Sequence, residues 1–194
     1  MLDTDAVHRH VRAFLDSRIP GAPVRIVSIA AGRGQELLPV VAAHARRADV
    51  RARLVERDPN DVADACESIG DLRLDWNVDV VCADPSLTDS YSGAVPADLV
   101  LLDGIFAFLG PFEIRHTIEL LPELCAERAF VLWNSGPRNA ADVRSWFGQS
   151  SFLEEAFDSS SGVGVERFVG VPRTLRTGVR LFASPIGARN GTAP

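Results

Sequence analysis

Short apolar runs rich in β-branched residues alternate with helical patterns along most of this 194-residue chain. The first such runs cover residues 24–30 (VRIVSIA), 51–57 and 77–83. Runs that are apolar on both faces are typical of buried parallel strands, and every parallel pair needs a crossover connection. The alternation therefore predicts an α/β fold with a doubly wound, mostly parallel sheet of seven strands.

The later part of the chain continues this alternation and then changes character. Two further strands are predicted at residues 98–103 and 128–134. The predicted helices cover residues 5–16, 35–47, 58–70, 111–126 and 139–148. Short β-like runs without long helices between them follow at residues 154–157, 163–169 and 180–183. Adjacent strands of this kind predict an antiparallel edge at the C-terminal end of the sheet.

Composition and charge exclude several classes of protein. The net charge is −6 and all 20 basic residues are arginine, which disfavours a nucleic-acid partner and excludes P-loop and Schiff-base lysine chemistry. The sequence has neither a signal peptide nor an apolar run long enough for a membrane span, so a cytoplasmic protein is predicted. Cys66, Cys82 and Cys125 are predicted to be reduced, buried thiols without a disulfide or zinc role.

A loop with two glycines follows the first predicted strand, in the order Ser28-Ile-Ala30-Ala-Gly32-Arg-Gly34. Glycine lets the backbone pass close to a ligand, and a helix that starts directly afterwards presents free N–H groups to an anion. A plain strand-to-helix turn would also use glycine. The loop alone therefore leaves both interpretations open.

Carboxylates follow the next two predicted strands. Glu56 ends the second strand, where an acceptor-only group suits the two hydroxyls of a ribose, although pairing with a surface arginine is the alternative. Asp58 is interpreted as the N-cap of the next helix, with Pro59 at its first position. Asp84 follows the third strand and could accept a hydrogen bond from an adenine amine. Because the carboxyl ends of parallel strands meet at one edge, these features predict a single site.

In this order the segments SIAAGRG, LVERDPN, VVCADP and ADLVLLDGIF resemble the motifs of class I S-adenosylmethionine-dependent methyltransferases, in particular a subgroup of small, mostly uncharacterised bacterial enzymes. The resemblance covers residues 24–183 and implies a Rossmann-like fold, S-adenosylmethionine as cofactor and S-adenosylhomocysteine as product. It implies that Gly32 and Gly34 lie under the methionine part, that Glu56 holds the ribose and that Asp84 meets the adenine. The remaining cofactor contacts that it implies are Ser28, Ala30, Arg57, Pro85, Asp103 and Gly104.

Two positions depart from the pattern of that family. The family usually has an acid where Ser28 stands, so the usual contact to the amino group of the cofactor is in doubt here. Ala30 replaces a glycine and is interpreted as a harmless variant. An NAD-binding fold shares the glycine loop and the ribose acid, but its fingerprint has a third glycine where Leu37 stands, which makes it the weaker alternative.

Candidate catalytic groups follow the fourth and fifth predicted strands. Asp103 would orient or deprotonate an N–H or O–H nucleophile, or else cap local backbone groups, and Asn134 ends the next strand. His116 is a further candidate base if it faces the cleft. No metal is expected, because Trp133 stands where a second acid ligand would be needed. The candidate substrate contacts are the loop residues Ile105, Phe106 and Phe108.

The chain is predicted to comprise an N-terminal helix over residues 1–20 that forms a partial lid, a methyltransferase domain over 21–186 and a disordered tail over 187–194. The predicted reaction is methyl transfer to N, O or C of a small molecule, for example a secondary metabolite. The alternative is a degenerate cofactor-binding protein that acts through a partner. A homodimer is a fair expectation for a small domain with an open site.

Overall fold

Seven strands form one sheet within residues 4–183, which are the residues that the computed structural model describes. The strands are β1 (Val24–Ile29), β2 (Val50–Glu56), β3 (Val78–Cys82), β4 (Ala97–Asp103), β5 (Cys125–Asn134), β6 (Phe152–Asp158) and β7 (Val163–Phe168). Their order in the sheet is β3-β2-β1-β4-β5-β7-β6. Strands β1 to β5 are parallel, and β7 is antiparallel to both of its neighbours. The predicted doubly wound, mostly parallel sheet with an antiparallel edge is confirmed.

Helices cover both faces of this sheet. They are α1 (Thr4–Asp16), α2 (Leu38–Ala43), α3 (Pro59–Asp71), α4 (Pro111–Leu120) and α5 (Ala140–Gly148). One core cluster joins α1, α2 and α3 to alternate strand residues such as Ile26 and Leu54. The other joins α4 and α5 to the intervening strand residues such as Val27 and Val55. Because successive strand residues point to opposite faces, the two clusters lie on the two sides of the sheet.

Helix α1 belongs to the first of these layers. Val7, Val11 and Leu15 are fully buried, and Phe14 meets Phe130 of β5 edge to face at 5.7 Å between ring centroids. The N-terminal segment thus packs on the sheet as part of the domain core, and its role as a partial lid stays a prediction. The predicted tail over residues 187–194, with the end of the predicted domain at 184–186, lies outside the described residues.

Three predicted elements differ from those observed. The helix expected over 35–47 is only six residues long and starts at Leu38, because residues before it form consecutive turns and Pro39 favours the first helical turn. The helix expected over 111–126 ends at Leu120, where Pro122 follows in a 3₁₀ turn and lacks the N–H that would continue the helix. The run at 180–183 makes one isolated bridge, between Arg180 and Leu87.

Side-chain contacts and a few backbone hydrogen bonds hold the chain after β7, without a regular strand; residues 172–182 are called the C-terminal strap here. The guanidinium of Arg176 pairs with the buried carboxylate of Glu123, and the N–H of Gly178 donates to Asp89 Oδ2 at 2.6 Å. Leu181 and Phe182, at the end of the strap, are buried in the second core cluster. The strap therefore crosses the carboxyl end of β3 and returns to the core without becoming a strand.

The cysteines correct one expectation. Cys125 is buried, but Cys66 and Cys82 are exposed free thiols. Cys66 lies on the exposed surface of α3, next to the buried Ala65, and Cys82 ends β3, which is an edge strand. None of the helices within residues 4–183 combines the length and the apolar character that a bilayer crossing requires.

Candidate functional site

The carboxyl ends of β1 and β4 and the first turn of α3 meet at an open cleft of about 540 Å³, called the carboxyl-edge cleft here. Open α/β sheets bind their ligands at this edge, where the strand order reverses on either side of β1. The lining combines the glycine loop with acidic side chains from the loop, α3 and β4. The lining residues are Thr4, Ala30, Ala31, Gly32, Arg33, Gln35, Glu36, Asp61 and Asp103.

A second groove, of about 310 Å³, opens at the opposite edge of the sheet. It is lined by residues at the amino ends of β1, β2 and β3, among them Arg25, Arg51 and Asp79. Arg51 lies over the ring of Trp76 at 5.2 Å. Neither the glycine loop nor the strand-end acids reach this groove, so the predicted chemistry belongs to the carboxyl-edge cleft.

The two glycines of the loop have different structural roles. Gly32 has φ +51°, lines the cleft and has no atom within 4 Å of the place where a Cβ would stand. Gly34 has φ +71°, and a Cβ there would lie 2.5 Å from Leu54 Cδ2 and 2.8 Å from Leu38 Cδ1. Gly34 therefore lets the loop pack on β2, and the expectation that both glycines pass beneath a ligand stays a prediction. The short helix α2 starts too late to present its N–H groups to an anion at this loop.

Glu56 holds the glycine loop in place at the end of β2. Its Oε2 accepts from the N–H of Gly32 at 2.8 Å, and its Oε1 accepts from the N–H groups of Arg57 and Asp58 at 2.6 and 2.9 Å. The alternative interpretation, a pair with a surface arginine, is not what the structure shows. About four acceptor positions exist on a carboxylate, so roughly one is left for a ligand hydroxyl. Asp58 is confirmed as the N-cap of α3, since its Oδ1 accepts from the N–H of Asn60 at 2.9 Å.

Both carboxylate oxygens of Asp84, the predicted adenine contact, already have hydrogen-bond or ion-pair partners within the protein. Its Oδ1 accepts from the N–H and the hydroxyl of Ser86, and its Oδ2 pairs with Arg57 and with Arg180 of the strap at 3.2 Å each. Burial acts to raise the pKa of Asp84, but the hydrogen bonds from Ser86 and Arg180 and the charge of Arg57 outweigh it and lower the pKa. A ligand that uses Asp84 must therefore exchange places with a guanidinium. Pro85 is buried, and its carbonyl accepts from the hydroxyl of Tyr91.

Asp103 and Asn134 lie side by side as register partners on β4 and β5. The amide of Asn134 donates to Asp103 Oδ1 at 2.9 Å, and its own oxygen accepts from the N–H of Gly136 at 3.0 Å. Burial raises the pKa of Asp103, and the hydrogen bond from Asn134 offsets part of this effect. Asn134 is completely buried, so it positions Asp103 and does not itself reach the cleft. Asp103 alone of this pair lines the cleft.

The loop after β4 corrects the predicted substrate contacts. Gly104 has φ +79° and turns the chain into a 3₁₀ turn that directs Ile105 and Phe106 into the core, where both are buried. The ring of Phe106 lies 6.4 Å from that of Phe147. Phe108 is 73% exposed, on the outside of the turn. None of these side chains lines the carboxyl-edge cleft.

His116 also lies apart from the carboxyl-edge cleft. Its Nε2 is 3.1 Å from the carbonyl oxygen of Arg180, and its ring stacks on Phe112 at 6.4 Å. It lines a separate groove on α4 together with Arg115 and Trp146. The expected role of His116 as a base is thus corrected, because the helix turns its ring toward the strap.

Glu36 is the functional candidate that the sequence reasoning missed. Its side chain lines the cleft although the residue is only 6% exposed, and its Oε1 accepts from the hydroxyl of Ser28 at 2.8 Å. Burial is the main reason why the pKa of Glu36 is raised to about 7. The charges of Asp103 and Glu56 contribute to this rise, and hydrogen bonds from its own backbone N–H and from Ser28 oppose it. Ser28 is itself 1% exposed and does not line the cleft. The acid directly after the glycines, in GRGQE, was the signal in the sequence.

The other side chains of the cleft are polar. The guanidinium of Arg33 pairs with Asp61 and Asp64 of α3, with 3.1 Å between nitrogen and oxygen in each case. Across the described ranges of the chain, no group of three or more His, Cys, Asp or Glu side chains could hold a metal ion. The cleft as described therefore offers carboxylates and backbone groups to a ligand.

No protein-family model matches this chain, and neither does any curated protein. Solved structures do match it. Magnesium protoporphyrin IX methyltransferase from Synechocystis PCC 6803, with bound S-adenosylmethionine, has a TM-score of 0.63 at 15% identity, over 86% of this chain and 79% of that one. A chain from Clostridium thermocellum, proposed to be an rRNA methylase, gives 0.61 at 13% identity, over 88% and 98%.

A neighbour with a different reaction is similar to the same degree. The [4+2]-cyclase SpnF has a TM-score of 0.61 at 12% identity, over 84% of this chain and 81% of that chain. At such identities the likeness concerns the fold, and the fold alone does not determine the reaction. The strand order and the position of the cleft agree with these likenesses. The chain has the fold of the class I S-adenosylmethionine-dependent methyltransferases.

Proposed function

We propose that this protein binds S-adenosylmethionine in the carboxyl-edge cleft and transfers its methyl group to N, O or C of a small molecule. The observation that carries the proposal is that two strand ends line one cleft while the acid at a third strand end holds the glycine loop of that cleft. Gly32 follows β1, Glu56 ends β2 and holds Gly32, and Asp103 ends β4. The Synechocystis neighbour binds S-adenosylmethionine with the same fold.

Methyl transfer from a sulfonium requires little acid–base catalysis by the protein. The nucleophile forms a bond to the methyl carbon while the carbon–sulfur bond breaks, and S-adenosylhomocysteine leaves as a neutral thioether. The protein aligns the two reactants and takes the proton from an N–H or O–H nucleophile. In this proposal Asp103 is the proton acceptor, because its raised pKa favours proton uptake and Asn134 fixes its orientation.

The charge of the cleft supports a small-molecule substrate. Its lining includes the carboxyl groups of Glu36, Asp61 and Asp103, while the guanidinium of Arg33 is already paired. A phosphate backbone would meet repulsion from these acids and from the net charge of −6. The proposal also places the protein in the cytoplasm, where the exposed thiols of Cys66 and Cys82 would stay reduced.

A second candidate function is cofactor binding without methyl transfer. It is supported by the [4+2]-cyclase neighbour, which has this fold and a different reaction. It is also supported by the burial of Ile105 and Phe106, which removes two aromatic or aliphatic contacts from the expected substrate site. Turnover separates the two candidates, because only a methyltransferase forms S-adenosylhomocysteine when an acceptor is supplied.

The first test is a set of melting curves with S-adenosylmethionine, S-adenosylhomocysteine, NAD or no ligand. A ligand present at about 100 times its Kd adds about 2.7 kcal/mol, or roughly 5–10 °C in Tm for a domain of this size. We expect a shift with both sulfur ligands and none with NAD. A shift with NAD alone, or no shift with any ligand, would overturn the proposal.

The second test is turnover with panels of small amine, phenol and carbon nucleophiles and with a structured RNA. Asp103→Asn should lower kcat at least tenfold while the Kd for S-adenosylmethionine changes little. Asp75→Asn, at the opposite edge of the sheet, is the matched control. Formation of S-adenosylhomocysteine with RNA alone would contradict the small-molecule assignment.

A further inference from the structure

A buried carboxyl group without a protein cation beside it lies in the wall of the carboxyl-edge cleft. Glu36 is 6% exposed, yet its side chain contributes to the cleft surface. The groups that hydrogen-bond to it are both neutral: the hydroxyl of Ser28, on Oε1 at 2.8 Å, and the backbone N–H of Glu36 itself. Burying a carboxylate is costly unless it is paired, so this position calls for a partner that the described lining does not supply.

The charges around Glu36 strengthen the argument that its carboxyl needs a partner. The ionised groups that act on it are the carboxylates of Asp103 on β4 and Glu56 at the end of β2, and both raise its pKa. Arg33, the arginine of the cleft lining, is committed to Asp61 and Asp64. His8 acts on Asp103, but no cation acts on Glu36 itself, and a buried carboxyl in that position favours a cationic ligand group.

The position of Glu36 identifies the part of the ligand that would meet it. Glu56 fixes one side of the glycine loop and is the expected ribose contact, whereas Glu36 lies against Ser28 of β1 and faces Asp103 of β4. A ligand that runs from β2 across β1 toward β4 would bring the end opposite its adenosine to Glu36. In S-adenosylmethionine that end carries an α-ammonium group.

We infer that Glu36 binds the α-ammonium group of the cofactor and that Ser28 is a positioning residue, which holds the Glu36 carboxylate through its hydroxyl. The acid that the family usually carries at position 28 is thus supplied from the loop, eight residues further along the chain. This inference rests on the proposed function. It adds a binding residue outside the motif positions and gives Ser28 a role that does not require it to reach the ligand.

The test compares S-adenosylhomocysteine with its des-amino analogue, in which a hydrogen replaces the ammonium group. Calorimetry on the wild-type chain should show tighter binding of S-adenosylhomocysteine, by about 10–100-fold, as expected for a charge-assisted hydrogen bond. In Glu36→Gln, a near-isosteric change, S-adenosylhomocysteine should lose that advantage while the Kd of the des-amino analogue changes by less than about threefold. Ser28→Ala should cause a smaller loss with the same selectivity.

The outcomes are distinguishable. If the wild-type chain binds neither ligand, the proposed function fails. If it binds S-adenosylhomocysteine but Glu36→Gln binds it equally well, or loses both ligands to the same extent, the role of Glu36 is wrong and the proposed function stands. If Glu36→Gln does not fold, Ser28→Ala decides: an equal effect on the two ligands overturns the inference.

Discussion

The backbone N–H of Gly32 donates a 2.8 Å hydrogen bond to the carboxylate of Glu56, which ties the tip of the glycine loop to the end of the neighbouring strand. The same carboxylate accepts from the N–H groups of Arg57 and Asp58, where the chain leaves β2. One side chain thus fixes the geometry of two loops. The shape of the carboxyl-edge cleft depends on it before any ligand arrives.

Removal of this carboxylate should weaken cofactor binding. For Glu56→Ala we expect a loss of about 2–3 kcal/mol in the binding free energy of S-adenosylmethionine, because charge-assisted hydrogen bonds to the ribose disappear and the loop is released. Calorimetry measures this loss directly. Glu67→Ala, on the exposed side of α3, is the control and should bind normally. An unchanged affinity in Glu56→Ala would place the ribose elsewhere.

The two loop glycines should respond differently to the same substitution. Gly34→Ala places a Cβ 2.5 Å from Leu54 Cδ2, so we expect a loss of about 3 kcal/mol in unfolding free energy. Gly32→Ala meets open space and should cost about 1–2 kcal/mol through its positive φ alone. Denaturant unfolding of both variants tests this order, and equal losses would contradict it. Gly32→Val should in addition abolish cofactor binding, since its side chain enters the cleft.

Ala30 offers a stabilising change in the same loop. It has φ +54°, a conformation that costs an L residue more than it costs glycine. Ala30→Gly should therefore raise the unfolding free energy by about 0.5–1 kcal/mol. Ala31→Gly, at the neighbouring position without a positive φ, should instead lower it by about 1 kcal/mol. Thermal melts of the two variants provide the measurement. A destabilised Ala30→Gly would contradict the expectation that the positive φ of Ala30 costs stability.

Stability should fall as the pH rises through the range in which Glu36 ionises. Burial raises its pKa from 4.5 to about 7, so between these values the folded chain binds more protons than the unfolded chain. Ionisation of Glu36 alone should therefore lower the unfolding free energy of the wild type by an amount on the order of 2–3 kcal/mol from about pH 4.5 to pH 7. Glu36→Gln removes this component and should show a flatter profile in urea unfolding from pH 5 to pH 8.

A second buried acid provides the companion variant for that measurement. Glu166 accepts from the indole N–H of Trp133 at 3.2 Å, and burial raises its pKa to about 7 as well. The unfolding free energy of Glu36→Gln should therefore keep the part of its pH dependence that comes from Glu166. Glu166→Gln should lose that part. If the unfolding free energies of the wild type and Glu36→Gln depend on pH in the same way, the assignment of this component to Glu36 is contradicted.

The order of strands and helices is predictable from the sequence because each buried strand is a continuous apolar run with a distinct break. The N-cap of α3 is equally local: Asp58 and Pro59 define it without help from the rest of the chain. Strand ends also predict that Glu56 and Asp103 lie at the same edge of the sheet as the glycine loop, since parallel strands end at a common edge; their roles toward a ligand stay predictions.

What the sequence does not reveal depends on contacts between distant segments. Phe106 points inward because Gly104 turns the chain and Phe147 of α5 offers a surface. His116 faces the strap because Arg180 crosses there, 64 residues later in the chain. The burial of Glu36 against Ser28 of β1 likewise forms only in the fold, although its place directly after the glycines marks it in the sequence.

The C-terminal strap is joined to the domain through one isolated bridge and a few side-chain anchors, chiefly Arg176 to Glu123 and Arg180 to Asp84. Changes in its length therefore leave the pairing of the sheet untouched. A segment of this kind can diverge rapidly among descendants of one ancestor while the sheet beneath it is conserved. Because the strap also supplies a guanidinium to Asp84, such divergence would change the charge around the carboxylate that follows β3 without any mutation in the strands.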